Sequence, residues 1–505
     1  MNMMKNTVFY IIYAMSVISL GALLVISVSN PKDNLFSSQM FLGVIGFTGV
    51  LVVLFVIWNK LGPVISKIRW LFPILTVFFG ISLYIVSCIG RNDPASSDDY
   101  NRVWNAAYSL AIGEEIEDAY YLLNYSNNIK PMLFLYLIFK LTFIINAEDP
   151  YYIILAINVL GVMASVWGIY NILDNERNKG KYWISIIGFF VGCLPIWAMT
   201  QTFYTDAMSI WIAVVILALC KKVLVSEKNK AKIIMCIVIG LLLTLGISIK
   251  VTILIPLIAA VIVYLFIRNN CLQHQIIKYF ICILLSFLIS YIVLGAWTNT
   301  FEITKMSKLT EDPVITWVGL GLKGDGSYHE NTDYIFNVHA FETKAEKTAY
   351  CKAYIKENFH YFFDLKHIIS KIRCTYASGH LGSAEFSFIA HNKDNILWQL
   401  FSPWGKFYWR TSQLGFCYLH ALFCICFVGN MITIYRFTKY KKFSKSLMIV
   451  DLTMLGYFIF LLIWEANNRQ LYNMLPILIG AAILNGFQLV EFFESAKIVA
   501  RNRKA

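Results

Sequence analysis

The feature that most constrains this chain is a series of about a dozen apolar runs, many of them roughly 20 residues long. A run of that length matches a helix that crosses a lipid bilayer. Charged residues make up only 14% of the 505 positions, whereas soluble domains carry roughly 25%. The sequence therefore predicts an all-α polytopic membrane protein with about 12 transmembrane helices.

The net charge of +13 would suggest a nucleic-acid partner in a soluble protein. Here the basic residues lie in short stretches between or after the apolar runs, at 221–222, 228–232, 436–445 and 501–504. This pattern is typical of cytoplasmic loops and tails of membrane proteins. We therefore expect a lipid bilayer, and no nucleic acid, as the partner of these residues.

The same charge bias places both termini in the cytoplasm and two long polar regions outside the cell membrane. We divide the chain into a transmembrane module, 1–297, a large extracytoplasmic region, 298–411, and C-terminal transmembrane helices, 412–505. The first module includes the outer loop 91–130, which is expected to carry interfacial helices. Three apolar runs fall within 131–206, where an even number of crossings is needed. One of them is therefore expected to be short, tilted or re-entrant.

The first outer loop is rich in acids, and carboxylates beside a bilayer are costly. Asp98 and Asp99 precede an amphipathic stretch that begins at Tyr100. They can serve as helix caps. Alternatively, one of them is a general base that takes the proton from an acceptor hydroxyl.

Three cations are candidates for binding a phosphate. Lys130 precedes Pro131 at a predicted helix start, where the helix dipole disfavours a lysine unless an anion is bound. Lys250 stands alone between two apolar runs, so it either extends to the interface or binds phosphate. Arg469 can clamp a phosphate through two hydrogen bonds, or form an ordinary helix pair with Glu465.

Asp206 precedes an apolar run and can act as a helix cap or as a second outer carboxylate near Asp99. We assign Asp206 and Glu465 acceptor-binding or auxiliary roles. The glycine-rich segment 317–326 does not match a phosphate-binding loop and is expected to form a tight turn. Four of the six histidines in 298–411 are considered as ligands and lack metal-ligand spacing, so no metal site is expected: His329, His339, His380 and His391.

In order and sidedness these residues resemble the GT-C superfamily of membrane glycosyltransferases. The closest resemblance is to the branch containing protein O-mannosyltransferases and the aminoarabinose lipid A transferase, in its Gram-positive bacterial form. It spans most of the chain and is carried by these motifs: Asp99 with Val103-Trp104-Asn105-Ala106-Ala107, Asn127-Asn128-Ile129-Lys130-Pro131, Tyr204-Thr205-Asp206, Ile249-Lys250-Val251-Thr252, the segment 317–326, Lys371-Ile372-Arg373-Cys374-Thr375-Tyr376, and 465–476.

The resemblance implies a GT-C-like fold and a donor sugar linked to undecaprenyl phosphate. It implies Asp99, in preference to Asp98, as the catalytic base. Lys130 and Arg469 would bind the lipid phosphate, and Asp206 would help to organise the acceptor. This chain has one proline after Lys130, where members of the family often have two.

The expected function is transfer of a sugar, with inversion, to an extracytoplasmic acceptor such as a cell-wall polysaccharide or teichoic acid. The leaving phosphate is already stable as an anion, so no strong general acid is needed. A divalent ion would suit an acidic loop, but the resemblance implies no cofactor. The alternatives are a flippase or transporter for lipid-linked sugars, a cell-wall polysaccharide polymerase or ligase, and a non-catalytic membrane protein.

Overall fold

A computed structural model describes residues 2–32, 35–68, 70–90, 99–147, 149–173, 179–266, 273–382, 395–441 and 443–502. Asp98, one of the two candidate bases, lies outside these residues.

Every regular element in the described part of the chain is a helix, which confirms the predicted all-α class. The α-helices are α1 Asn2–Ser29, α2 Ser37–Ile65, α3 Leu71–Ile89, α4 Asp99–Ile112, α5 Ala119–Asn124, α6 Ile129–Ile144, α7 Pro150–Leu173, α8 Lys179–Gly192, α9 Leu194–Met199, α10 Thr205–Ser209, α11 Ile212–Val225, α12 Asn229–Ile249, α13 Leu254–Phe266, α14 Gln273–Thr298, α15 Glu302–Thr310, α16 Thr316–Leu320, α17 Thr332–His339, α18 Lys344–Asn358, α19 Leu365–Tyr376, α20 Ile396–Phe401, α21 Tyr408–Tyr440, α22 Lys445–Ile463 and α23 Leu475–Asn502.

Ten helical spans within the described residues are long and apolar enough to cross a membrane. The other apolar runs of the sequence form shorter helices, namely α6, α13 and the pair α8–α9. The backbone breaks at Cys193 between α8 and α9. Pro195 follows at once in α9 and cannot donate a helical hydrogen bond. This interrupted run agrees with the prediction that one of the three apolar runs within 131–206 is short, tilted or re-entrant.

The two ends of the chain share one hydrophobic core. Helices α21 and α23 pack on each other, and α21 also packs on α1 and α2, while α22 packs on α13. By contrast, an 18-residue apolar stretch within α14 has no buried residues, and α14 contacts chiefly α12. Helix α14 therefore lies at the edge of the bundle, where it leaves a groove beside α12.

The two long polar regions fold against each other. The backbone N–H of Asp312 donates to the carbonyl oxygen of Asn124 at 2.8 Å. The buried Lys347 donates from Nζ to the Asp312 carboxylate at 2.8 Å and to the side-chain oxygen of Asn124 at 2.6 Å. These bonds of Lys347 hold α18 against α5. Loss of either partner of a buried ion pair is strongly destabilising.

Candidate functional site

The centre of the candidate site is a fully buried carboxylate between two cations. Asp206 has an exposed fraction of 0%. Its Oδ1 forms a salt bridge with Lys250, and its Oδ2 lies 3.2 Å from Nε of Arg469. The structure thus brings together three of the residues that the sequence proposed, although they come from distant parts of the chain.

Interrupted helices position all three side chains. Asp206 lies on α10, a helix of five residues. Lys250 follows the end of α12 in extended backbone, with φ −155° and ψ 119°. Arg469 lies in a 3-10 segment, Asn468–Met474, before α23. Backbone that is not helical at membrane depth must be buried in protein or line a cavity. The three helix breaks therefore gather polar groups at one place inside the protein.

Tyr204 joins this ion-pair cluster to Asp99. Its hydroxyl lies 3.2 Å from Oδ1 of Asn128 and 3.4 Å from Oδ2 of Asp99, and it can donate to either. The guanidinium carbon of Arg469 lies 5.2 Å from the centre of the Tyr204 ring, a cation–π distance. Burial, and then the Asp99 carboxylate, raise the pKa of the Tyr204 hydroxyl above its usual range, so that it remains a donor.

Asp99 is half-buried at the first position of α4. The predicted amphipathic helix is confirmed: its apolar face, including Tyr100, Val103 and Ala107, is buried, and α4 packs on α6. This packing directs the start of α4 toward Tyr204. Asp99 therefore has a rigid support on one side and the Tyr204 hydroxyl on the other.

Glu465 lies just after α22 and before the 3-10 segment, so it is not on a helix with Arg469. A helical salt bridge between them is thus wrong. Burial raises the pKa of the Glu465 carboxyl to about 7, and the Arg469 charge opposes that shift. Lys250 and Asp99 also act on Glu465 electrostatically. Glu465 therefore titrates near neutral pH within reach of the site.

The glycine-rich segment braces the loop that carries Glu465. Lys371 is fully buried and donates from Nζ to the carbonyl oxygens of Gly321 and Trp464, both at 2.7 Å. The backbone N–H of Ala466 donates to the carbonyl oxygen of Gly326 at 2.8 Å. Residues 321–326 form turns, as predicted, whereas 317–320 belong to helix α16. The contacts of the segment also fix residues 464–466.

Lys130 lies beside the cluster rather than within it. Its Nζ is 4.8 Å from the centre of the Tyr291 ring on α14. No described carboxylate lies within ion-pair distance of it. Asn128, whose Oδ1 can accept a hydrogen bond from the Tyr204 hydroxyl, lies two positions before Lys130 in the chain. Lys130 therefore stands between the Tyr204 network and the edge of the bundle.

A cavity of about 910 Å³ lies between α6, α12 and α14. Its lining is almost entirely apolar, for example Phe134, Leu241, Leu285 and Trp297. Thr244, less than two helical turns before Lys250 on α12, also lines it. The cavity therefore follows α12 toward the ion-pair cluster.

A family model described as a conserved hypothetical integral membrane protein matches residues 1–488. The chain belongs to this family. No curated protein and no solved structure matches the chain. The family description agrees with the apolar helices in placing the protein in a membrane, and it states no activity.

Sequence reasoning overlooked several polar residues of this integral membrane protein. Tyr204 and Asn128 lie within the motifs already singled out, beside Asp206 and Lys130 respectively. Their hydrogen bond joins positions 76 apart in the chain, which no local pattern indicates. Within the described residues, no group of three His, Cys, Asp or Glu side chains is arranged to hold a metal ion.

Gly382 is a position where any side chain should disturb the site. Its φ is +75°, and an added Cβ would lie 2.8 Å from Cβ of Arg469. We expect Gly382→Ala to cost about 1–2 kcal/mol of stability from the positive φ and to displace Arg469. Gly113→Ala is the matched control, because its φ is +89° but no atom lies within 4 Å of the added Cβ. Thermal unfolding of both variants tests this expectation, and an equal loss of stability in the two would contradict it.

Proposed function

We propose that this integral membrane protein is a glycosyltransferase of the GT-C type. It moves a sugar from a polyprenyl-phosphate donor to an acceptor outside the cell membrane. The observation that supports this most strongly is the link, through Tyr204, between the half-buried Asp99 carboxylate and the buried cluster of Asp206, Lys250 and Arg469.

The charges of the cluster suit an anionic donor. Lys250 and Arg469 carry two formal positive charges against the single negative charge of Asp206. A phosphodiester monoanion would balance the remaining charge. An arginine can also hold a phosphate through two parallel hydrogen bonds. Asp206 then acts as a positioning residue, because it holds both cations in place.

The groove between α6, α12 and α14 suits the lipid part of that donor. A polyprenyl chain is purely hydrocarbon. The apolar lining of the groove offers it an environment as free of water as the interior of the bilayer. The groove leads toward Lys250, and Lys130 stands at its side, over Tyr291. This arrangement supports an undecaprenyl-phosphate-linked sugar, with Lys130 as an additional phosphate contact.

The proposed chemistry is a single displacement. Asp99 takes the proton from the acceptor hydroxyl while that oxygen forms a bond to the anomeric carbon. The bond between that carbon and the phosphate oxygen breaks, and the phosphate leaves with the electron pair. Lys250 and Arg469 stabilise the charge as it develops. Attack opposite the leaving group inverts the anomeric centre, and no cofactor is needed.

The acceptor we propose is a cell-wall polysaccharide or a teichoic acid. The proposed orientation places Asp99 and the two polar regions outside and both termini in the cytoplasm, because the basic loops and tails lie at the other ends of the helices. Glu465 interacts electrostatically with the charged groups of the site and is a candidate for acceptor binding.

The test uses the purified full-length protein in liposomes. Radiolabelled hexoses on undecaprenyl phosphate are supplied with cell-wall fragments, and transfer of label is followed. Transfer that requires the protein supports the proposal. No transfer from any such donor by folded protein would overturn it.

A lipid-linked sugar flippase is the second candidate, because two observations favour it. Asp451 is a buried carboxylate within the membrane-spanning α22, and intramembrane acids often mark transport pathways. The lateral groove also gives a lipid access to the bundle. Protein-dependent movement of labelled lipid between leaflets, without sugar transfer, would favour the flippase.

Donor affinity should fall as the pH rises through about 7. Below this pH Glu465 is mostly protonated, and the cluster of Asp206, Lys250 and Arg469 keeps the one formal positive charge that a phosphodiester balances. Above it, ionised Glu465 offsets that positive charge and weakens the attraction for the donor phosphate. We expect the KM for the donor to rise between about pH 6 and pH 8 in the wild type.

Glu465→Gln should remove most of this pH dependence, because glutamine cannot ionise. Glu330→Gln, at an exposed position of the short 3-10 helix His329–Asn331, is the control and should keep the wild-type profile. A KM that rises equally with pH in Glu465→Gln would assign the effect to another group.

A further inference from the structure

A second polar cluster lies inside the helix bundle, apart from the candidate active site. Its centre is Asp451 on α22, with an exposed fraction of 2%. Tyr13 on α1, Asn430 on α21 and Asn485 on α23 interact with its carboxyl group. No described Lys, Arg or His lies within ion-pair distance of Asp451. An ionised carboxylate there would thus lack a protein counter-charge.

The cluster contains an excess of oxygen atoms. Nδ2 of Asn485 lies 3.5 Å from Oδ1 of Asp451. Oδ2 of Asp451 is buried without a close hydrogen-bond partner among the described residues, and so are Oδ1 and Nδ2 of Asn430 and Oγ of Ser16. The hydroxyl of Tyr13 interacts with the Asp451 carboxyl group. Buried polar atoms without partners each cost about 1–3 kcal/mol. Three such oxygens in one buried cluster, one of them on the carboxylate itself, are therefore unexpected unless something binds them.

A small cavity adjoins these oxygens. Its volume is about 20 Å³, and Ser16, Asn430 and Asp451 are among its lining residues. A cavity needs roughly 10–15 Å³ to hold one water molecule. The space therefore suits a single small species, and its polar lining consists of oxygen donors together with the Asn430 amide nitrogen.

We propose that this cluster binds one monovalent cation, and Na⁺ in preference to K⁺. The oxygen donors suit a hard cation. A single carboxylate neutralises one positive charge, whereas a divalent ion would leave an uncompensated charge inside the bundle. The small volume favours the smaller of the two common monovalent ions.

The ion would also support the segment that carries Arg469. Met474, the last residue of the 3-10 segment Asn468–Met474, lines the same cavity, as does Tyr376 at the end of α19. An ion in the cavity would therefore stabilise the position of the 3-10 segment that carries Arg469. This proposal rests on the Asp451 cluster alone and holds whether or not the protein transfers sugars.

The test measures binding of radioactive sodium to purified full-length protein in detergent, by equilibrium dialysis. We expect saturable binding of about one ion per chain, and an unfolding midpoint that rises by a few degrees with Na⁺. Choline at the same ionic strength should leave the midpoint unchanged, and K⁺ should raise it less than Na⁺.

Two variants locate the site. Asp451→Asn should abolish sodium binding, and Asn430→Ala, which keeps the carboxylate, should weaken it by about tenfold or more. Asp118→Asn, in an exposed pair with Arg102, should bind as the wild type does.

The wild-type measurement decides the proposal even if a variant does not insert. Absence of saturable sodium binding would overturn it. So would an unfolding midpoint that responds to pH but not to Na⁺, because that result assigns a proton, rather than a metal cation, to Asp451. Full sodium affinity in either cluster variant would also overturn it.

Discussion

Replacing Asp99 by asparagine is expected to lower the rate of sugar transfer by about 100- to 10,000-fold, the usual contribution of a general base. Asparagine has nearly the same shape and can still accept from the Tyr204 hydroxyl, which lies 3.4 Å from Oδ2 of Asp99. It cannot take a proton from the acceptor. The effect should therefore fall on kcat, with little change in the KM for the lipid donor.

The control for this experiment is Asp118→Asn. Asp118 belongs to the same polar region but is exposed, and its partner Arg102 is exposed as well. Transfer by this variant should be close to that of the wild type. If Asp99→Asn is folded and inserted and transfers sugar at the wild-type rate, Asp99 is not the base.

Replacing Asp206 by asparagine should have the largest effect on stability. Asp206 is fully buried, and the side chains of its partners Lys250 and Arg469 are only 13% and 17% exposed. Removing the carboxylate leaves two cations close together with no counter-charge. Loss of one partner of a buried ion pair costs about 3–5 kcal/mol. Thermal or denaturant unfolding in detergent measures this loss.

A double variant separates charge from packing at Asp206. Adding Lys250→Met to Asp206→Asn removes one of the two stranded cations, so it should recover part of the lost stability. Asp118→Asn, again the control, should cost less than about 1 kcal/mol, as exposed pairs do. Equal stability losses in Asp206→Asn and Asp118→Asn would show that the buried ion pairs do not stabilise the fold.

Much of the secondary structure could be predicted from the sequence. Most of the long apolar runs became membrane-length helices, and the stretch after Asp99 became the amphipathic helix α4. These predictions succeed because run length and the 3.6-residue period are local properties of the chain. The sequence predicted one irregular run within 131–206, but it did not predict that the break would fall between α8 and α9.

The candidate residues of the site were also visible in the sequence as charged groups next to apolar runs. Charges at such places are costly enough to stand out. Their partners were not visible. Lys250 and Asp206 are 44 positions apart, and Tyr204 and Asp99 are 105 positions apart. The sequence assigned Glu465 an acceptor-binding or auxiliary role but left open an ordinary helix pair with Arg469.

The sequence by itself thus determined that this protein is a membrane bundle of helices and which of its polar residues lie at the helix ends. Only the tertiary structure decided that Asp206 lies between Lys250 and Arg469, that Tyr204 connects Asp99 to them, and that Asp451 is buried among unpaired oxygens. The physical reason is that hydrophobicity acts residue by residue along the chain. Ion pairs and hydrogen bonds act over a few ångströms in space, and the chain reaches those distances only after its helices have packed.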